Sequence, residues 1–185
     1  MKKLIIGFVG EIASGKGEAS DYITKKHQTG YFRFSTIIRE VLKRLHLEES
    51  RETMQRISLV LRENFGQDLF AKVIAKDAEN DPHQIVCVDG IRRTPDIKYL
   101  RELPNFHLIN IQTEEKIRFE RIIRRAENPD DKNKTFQEFQ KDQQGETELT
   151  IREVAKQANF IVNNNGTFEE LYSQLDDLIT KLNTG

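Results

Sequence analysis

The chain holds one cysteine in 185 residues, so no intramolecular disulfide can form. Cys87 lies inside an apolar run, which predicts a buried thiol in a reducing compartment. Neither charge is in real excess: 29 Lys and Arg stand against 30 Asp and Glu, a net charge of −1. Whole-chain charge therefore selects neither nucleic acid nor a membrane surface, and any anion site must come from a local cluster. No apolar stretch approaches a membrane span. The opening apolar run, 4–9, is too short for a signal peptide, and Glu11 and Lys16 follow it closely. These absences predict a soluble, cytoplasmic protein. Internal repeats and low-complexity tracts are lacking as well. Apolar residues make up 37% of the chain, and its length suits one domain, 1–185, with its own core and no need of staples.

What is present is an alternation of short apolar runs with longer amphipathic segments. Runs 4–9, 85–88, 106–111 and 160–162 read as buried strands. Helical patterns begin near Lys16 and cover 35–45, 51–64, 68–78 and 114–125, with Gly66 separating the third from the fourth. Thr94-Pro95 predicts a helix to about residue 103, with Thr94 as N-cap and Pro95 in the first position. A last helix starts at Thr167, where Glu170 completes a capping box. Strands alternating with helices predict a parallel sheet with its site at the carboxyl ends of the strands. The polar segment 127–145 reads either as a solvated helix-loop-helix or as a movable lid.

Gly10-Glu11-Ile12-Ala13-Ser14-Gly15-Lys16 matches G-x-x-x-x-G-K. In that pattern glycines let successive N–H groups line an anion-sized hollow, the following helix adds its positive end, and the lysine reaches the outer phosphates. Average composition yields the pattern by chance in about one chain of this length in twenty. Its place between the first apolar strand and a helix is what gives it weight. The expected nucleotide contacts are Gly10, Ile12, Ala13, Ser14, Gly15, Lys16, Gly17 and Glu18. The Ser or Thr that follows the lysine in the motif, and ligates Mg²⁺, is Gly17 here. Asp89, at the end of the second buried run, is then the expected carboxylate for the metal, directly or through water.

Asp89-Gly90-Ile91-Arg92-Arg93-Thr94 resembles the D-G-F-P-R-T stretch of adenylate kinases, and Ser35-Thr36-Ile37-Ile38-Arg39 is similar to their T-G-D-x-x-R helix start. The ends, Gly7–Lys16 and Phe160–Leu171, look like those of dephospho-coenzyme A kinases, whose acidic pair after the second strand is missing. The arrangement over nearly the full length most resembles archaeal adenylate-kinase-related, dephospho-coenzyme-A-kinase-like proteins of the P-loop nucleoside monophosphate kinase superfamily. That resemblance implies a P-loop three-layer α/β/α fold with a five-stranded parallel sheet in order 2-3-1-4-5. It also implies a helical acceptor-binding insert over about 35–80 and a small lid over about 127–145.

By the same resemblance ATP and Mg²⁺ are the expected cofactors and a small nucleotide the acceptor, with no nucleic acid or membrane partner. Arg39, Arg92 and Arg93 are candidate acceptor ligands, the choice between Arg92 and Arg93 being open. Lys16, Asp89, Arg93, Arg121 and Arg125 are the candidate catalytic residues. A salt-bridged exposed face with Glu114, Glu115 and Glu120 is the plainer reading of Arg118, Arg121 and Arg125. Three functions compete: a nucleoside or deoxynucleoside monophosphate kinase, a dephospho-coenzyme A kinase, and a non-catalytic nucleotide-binding regulator. A GTPase switch is disfavoured, because the chain has no N-K-x-D motif.

Overall fold

Successive side chains of a strand point to opposite faces, so a strand buried throughout must be covered on both. In the computed structural model, which describes residues 3–126 and 131–184, strand β1 (Leu4–Val9) is buried along its whole length. Leu4, Ile6 and Phe8 enter one core; Ile5 and Val9 enter the other. The same division holds in β3 (Ile85–Asp89), where Val86 and Val88 oppose Cys87. With β2 (Gly30–Arg33), β4 (Phe106–Gln112) and β5 (Phe160–Asn163) they form a five-stranded sheet in order β2-β3-β1-β4-β5. All four pairings are parallel. Parallel neighbours need long crossovers, and the amphipathic segments supply them.

Helices α1 (Lys16–His27) and α8 (Phe168–Thr184) cover one face through Ala19, Ile23, Leu171 and Leu175. The other face is covered by α2 (Phe34–Arg44), α4 (Leu69–Asn80) and α7 (Glu146–Ala155), through Ile38, Leu42, Phe70, Ile74, Ile151 and Val154. Helix α3 (Arg51–Phe65) adds Met54, Ile57 and Leu61 to the rim of that core. Helix α5 (Glu115–Arg125) follows β4, and α6 (Phe136–Asp142) lies beyond it. This is the expected three-layer α/β/α fold, in the expected strand order.

Four local features depart from the sequence reading. Strand β2 went unread because it is a four-residue edge strand with Tyr31 exposed, too short to show a period. The helix expected at 94–103 is two short 3₁₀ turns, Thr94–Ile97 and Leu100–Glu102, and Arg93 rather than Thr94 is the cap residue. The Asp96 carboxylate draws in the N–H groups of both Arg92 and Arg93, at 3.0 and 2.9 Å, and Pro104 bars any extension. Helix α7 was missed because 146–155 reads as polar, although Ile151 and Val154 are buried. The expected lid is only partly solvated. Residues 127–130 lie outside the described residues. The remainder holds a 3₁₀ turn, Asp131–Asn133, then α6, opened by a Thr135–Glu138 capping box. Phe139 is buried there beside Phe119 and Phe136.

Candidate functional site

The carboxyl ends of the three central strands and of β5 bring Val9-Gly10, Asp89, Gln112-Thr113 and Asn163-Asn164 to one edge of the sheet. Loop Gly10–Lys16 turns there between β1 and α1. Two of its residues are left-handed, Ala13 at φ 58° and Gly15 at φ 90°. Gly15 has a second constraint: a Cβ at this position would strike the Asn164 side-chain amide. Gly10 is equally hemmed in, since a Cβ would lie 2.7 Å from the Ile111 carbonyl.

The loop is held from behind by the ends of β4 and β5 and by α5. The Ser14 carbonyl accepts from Thr113 Oγ1 at 2.9 Å, from Asn164 Nδ2 at 2.8 Å and from Arg121 Nη1 at 3.5 Å. Arg121 also donates to the Asn164 carbonyl at 2.9 Å. Thr113 and Asn164 are buried, so these bonds are sheltered from water and fix the loop before any ligand arrives. The Ser14 hydroxyl is buried with no partner of its own.

On the side of α5 and α7 the loop is held by charge. Glu11 Oε1 receives Arg152 Nε at 2.7 Å and pairs with Arg118 Nη2 at 3.3 Å. Arg118 is buried; its Nη1 donates to Gln143 Oε1 at 2.6 Å and its Nε to the Thr113 carbonyl at 3.2 Å. Burial pulls its pKa down and Glu11 opposes the shift. The Ile12 amide, one of the expected phosphate donors, donates to Glu148 Oε2 at 3.2 Å. A carboxylate from the first turn of α7 thus sits on the phosphate loop.

A cavity of about 820 Å³ opens in front of the loop, lined by Lys16, Asp89, Glu49, Asp96 and six arginines: 33, 39, 51, 62, 92 and 93. Burial lowers the pKa of Lys16; Asp89 and Glu148 oppose the shift, while Arg92 and Arg33 add to it. Lys16, Asp89, Arg92 and Arg33 therefore share one electrostatic neighbourhood. Asp89 is buried and accepts from three donors. Its Oδ1 accepts from the Gly90 amide at 2.7 Å, and its Oδ2 from the Tyr31 hydroxyl at 3.0 Å and Arg33 Nε at 3.1 Å. Burial and then the Asp89 charge push the Tyr31 hydroxyl up to about 12, so it remains a donor.

The expected residues are thus distributed unevenly. Lys16, Asp89, Arg39, Arg92 and Arg93 do line one cavity. Arg39 is ion-paired with Glu49, whereas Arg93 is loosely tied to Asp96 and Gln67 at 3.3 to 3.5 Å. Arg121 holds the back of the loop rather than facing the cavity, because its guanidinium is taken by the Ser14 and Asn164 carbonyls. Arg125 is exposed at the last turn of α5 and is not part of the cavity wall. The salt-bridged face proposed for α5 also fails at Arg118, which turns inward to Glu11. The Glu18 carboxylate turns away from the loop onto the Tyr172 hydroxyl, and Tyr172 stacks on Tyr22 at 3.9 Å.

For a metal, the described residues contain no cluster of three His, Cys, Asp or Glu side chains. Space beside Gly17 is open, and Asp89 is the buried carboxylate whose charge acts on Lys16. Mg²⁺ typically keeps several waters and takes its remaining ligands from substrate phosphates and one or two carboxylates, a sparse demand that this donor set can meet.

Sequence reasoning missed Glu11, Arg33, Arg62, Arg118, Glu148, Arg152 and Asn164. Glu11 was in the motif but counted as filler. Arg51, Gln55, Ser58 and Arg62 recur at i, i+4, i+7 and i+11, a legible polar stripe. Arg33 reaches Asp89 only through the pairing of β2 with β3, and Arg118, Glu148, Arg152 and Asn164 meet the loop from 100 or more residues away, which no local pattern reveals.

A family model described as an AAA domain matches residues 9–140. The chain belongs to that family. This AAA-domain chain is 29% identical over 181 residues to the UPF0200 protein MJ1399 of Methanocaldococcus jannaschii, covering 97% of its own length and 90% of that protein. It is 28% identical over 180 residues to a UPF0200 protein of Hyperthermus butylicus, with coverage of 97% and 95%. The shikimate kinase of Bacteroides thetaiotaomicron superposes with a TM-score of 0.62 at 16% identity, over 97% of this chain and 98% of that one. The Thermus thermophilus protein TT1252 superposes with a TM-score of 0.60 at 15% identity, over 98% and 99%. The AAA-domain chain thus has a P-loop kinase-like fold and archaeal relatives, as the motifs implied. No helix among the described residues is long and apolar enough to cross a membrane.

Proposed function

We propose that the chain transfers the γ-phosphoryl group of ATP to the phosphate of a nucleoside or deoxynucleoside monophosphate. The observation that carries this reading is the arginine-rich cavity opening directly onto Lys16 at the phosphate loop. Such a cavity suits an anionic acceptor lying end-on to the γ-phosphate, because guanidinium groups bind phosphate through paired hydrogen bonds.

The state of the carboxylates favours a phosphate acceptor over an alcohol. An alcohol must lose a proton to a base, yet Asp89, the carboxylate whose charge Lys16 feels most, is held by three donors. A phosphate acceptor attacks through an oxygen that already lacks its proton. The bond between the γ-phosphorus and the bridging oxygen breaks, ADP leaves with the electron pair, and the acceptor oxygen binds the phosphorus. No proton need move. The chain then contributes position and charge: Lys16 and Arg92 beside the migrating group, Arg93 and Arg39 on the acceptor. Mg²⁺, when bound with the nucleotide, would neutralise phosphate charge, with Asp89 holding it through water. Glu148 must leave Ile12 when the nucleotide enters, which links loop filling to α7, whose Thr147 and Thr150 line the cavity.

Steady-state kinetics with each substrate varied tests the reading. Arg93→Ala and Arg39→Ala should each raise the acceptor KM by about ten- to a hundredfold and move the ATP KM far less. Acceptor KM values unchanged in both variants would sink the assignment.

A further inference from the structure

Helix α3 supplies part of the cavity wall from one face: Arg51, Met54, Gln55, Ser58 and Arg62. Arg62 stands out among these. Its guanidinium lies over the Phe70 ring, 4.7 Å from the centroid, and Nη1 donates to Ser58 Oγ. Its Nε–H is buried and has no partner. An unpaired buried donor on a charged group is costly and is seldom left so without a ligand.

The neighbour of Arg62 is a second cation. Burial and then the charge of Arg93 act on Arg62, with Asp96 opposing them. Asp96 is already committed to Arg93 and to the backbone. Its Oδ2 is taken by the Arg92 and Arg93 amides, and its Oδ1 by Arg93 Nη2 at 3.3 Å. Arg93's other contacts, to Gln67, lie at 3.4 and 3.5 Å, the long limit for a hydrogen bond. Two guanidiniums therefore line one region of the cavity, Arg62 with an unpartnered Nε and Arg93 with only long contacts, and the carboxylate between them is committed to Arg93 and the backbone. A separate pair, Arg33 and Arg92, stands near Lys16.

We propose that Arg62 and Arg93 together form the binding site for the acceptor's phosphate monoester, with Arg62 as a specificity residue for a dianionic acceptor. This rests on the kinase reading of the cavity and adds to it. The group beside Lys16, Arg33 and Arg92 is the phosphoryl in transit; the group between Arg62 and Arg93 is the acceptor's own phosphate. The anion relieves the repulsion between the two arginines and accepts from the guanidinium donors that line the cavity. The polar stripe running back along α3, Ser58 and Gln55, then faces the remainder of the acceptor.

Calorimetric titration of the full chain with the common ribo- and deoxyribonucleoside 5′-monophosphates, and with the matching nucleosides, tests this without turnover. The wild type should bind at least one monophosphate and none of the nucleosides. Arg62→Ala should weaken that binding about ten- to a hundredfold, with affinity for a non-hydrolysable ATP analogue unchanged within about twofold. Arg62→Lys keeps a stem over Phe70 and one charge, so it should fold and recover part of the loss. Arg62→Ala and Arg93→Ala should be non-additive, since they share one ligand group. Monophosphate affinity unchanged in Arg62→Ala overturns the inference and leaves the kinase reading standing. Equal weakening of ATP analogue and monophosphate also overturns it. A wild type that binds no monophosphate overturns both, while tight, Arg62-dependent binding without phosphoryl transfer supports the site and refutes the kinase.

Discussion

Arg118→Ala removes the side chain that ties Gln143 to the phosphate loop, and the structure sets the size of the effect. The Arg118 side chain is 4% exposed and makes four polar contacts, to Glu11, Gln143, Thr113 and Ile12. Glu11 keeps Arg152 at 2.7 Å, so the variant leaves no unpaired buried charge there. Gln143, however, is buried and loses the 2.6 Å donor to its Oε1, a penalty of about 1–3 kcal/mol. Loss of the guanidinium over the Phe139 ring, 5.5 Å away, adds roughly 0.5–2 kcal/mol. The sum, about 1.5–5 kcal/mol, is a large share of the ~5–15 kcal/mol that holds a domain folded. Urea unfolding followed by circular dichroism should show a midpoint lowered by on the order of 1–2 M with an unchanged slope. A loss below about 1 kcal/mol would mean that Arg118 is not the tie described between Gln143 and the loop.

Two further substitutions probe the loop itself. Glu148→Gln keeps an acceptor on the Ile12 amide but removes a negative charge facing Lys16; metal-free ATP should bind about three- to tenfold tighter by calorimetry, and weaker binding would instead make Glu148 a helper of the nucleotide. Gly17→Ser places a hydroxyl where a Cβ meets nothing within 4 Å, so the Mg²⁺ concentration for half-maximal ATP binding should fall severalfold; no change would show that the metal does not approach this turn.

The sheet was legible because β1, β3, β4 and β5 are short apolar runs set between amphipathic helices, and the phosphate loop because its glycines and lysine are contiguous. The brace behind the loop was not. Asn164 sits in a run of three asparagines that reads as a turn, and only the pairing of β4 with β5 carries its amide to Ser14. Charge misled in α5, where helical spacing grouped Arg118, Arg121 and Arg125. The fold sends the first to Glu11, the second to Asn164 and the third to the surface. A similar limit hid α7: its first turn is acidic and exposed, so its approach to the loop through Glu148 depends on Ile151 and Val154 docking one turn later. Polar side chains acquire their partners from topology, which apolar periodicity does not encode.

The central claim is transfer of phosphate from ATP, and it is met most directly by following γ-labelled ATP with the wild type and Lys16→Ala across nucleoside monophosphates and dephospho-coenzyme A. The wild type should move label to at least one monophosphate, giving a diphosphate, and Lys16→Ala should do so at least a hundredfold more slowly while remaining folded. Label appearing on dephospho-coenzyme A alone, label on no acceptor at all, or equal transfer by both proteins would contradict the account.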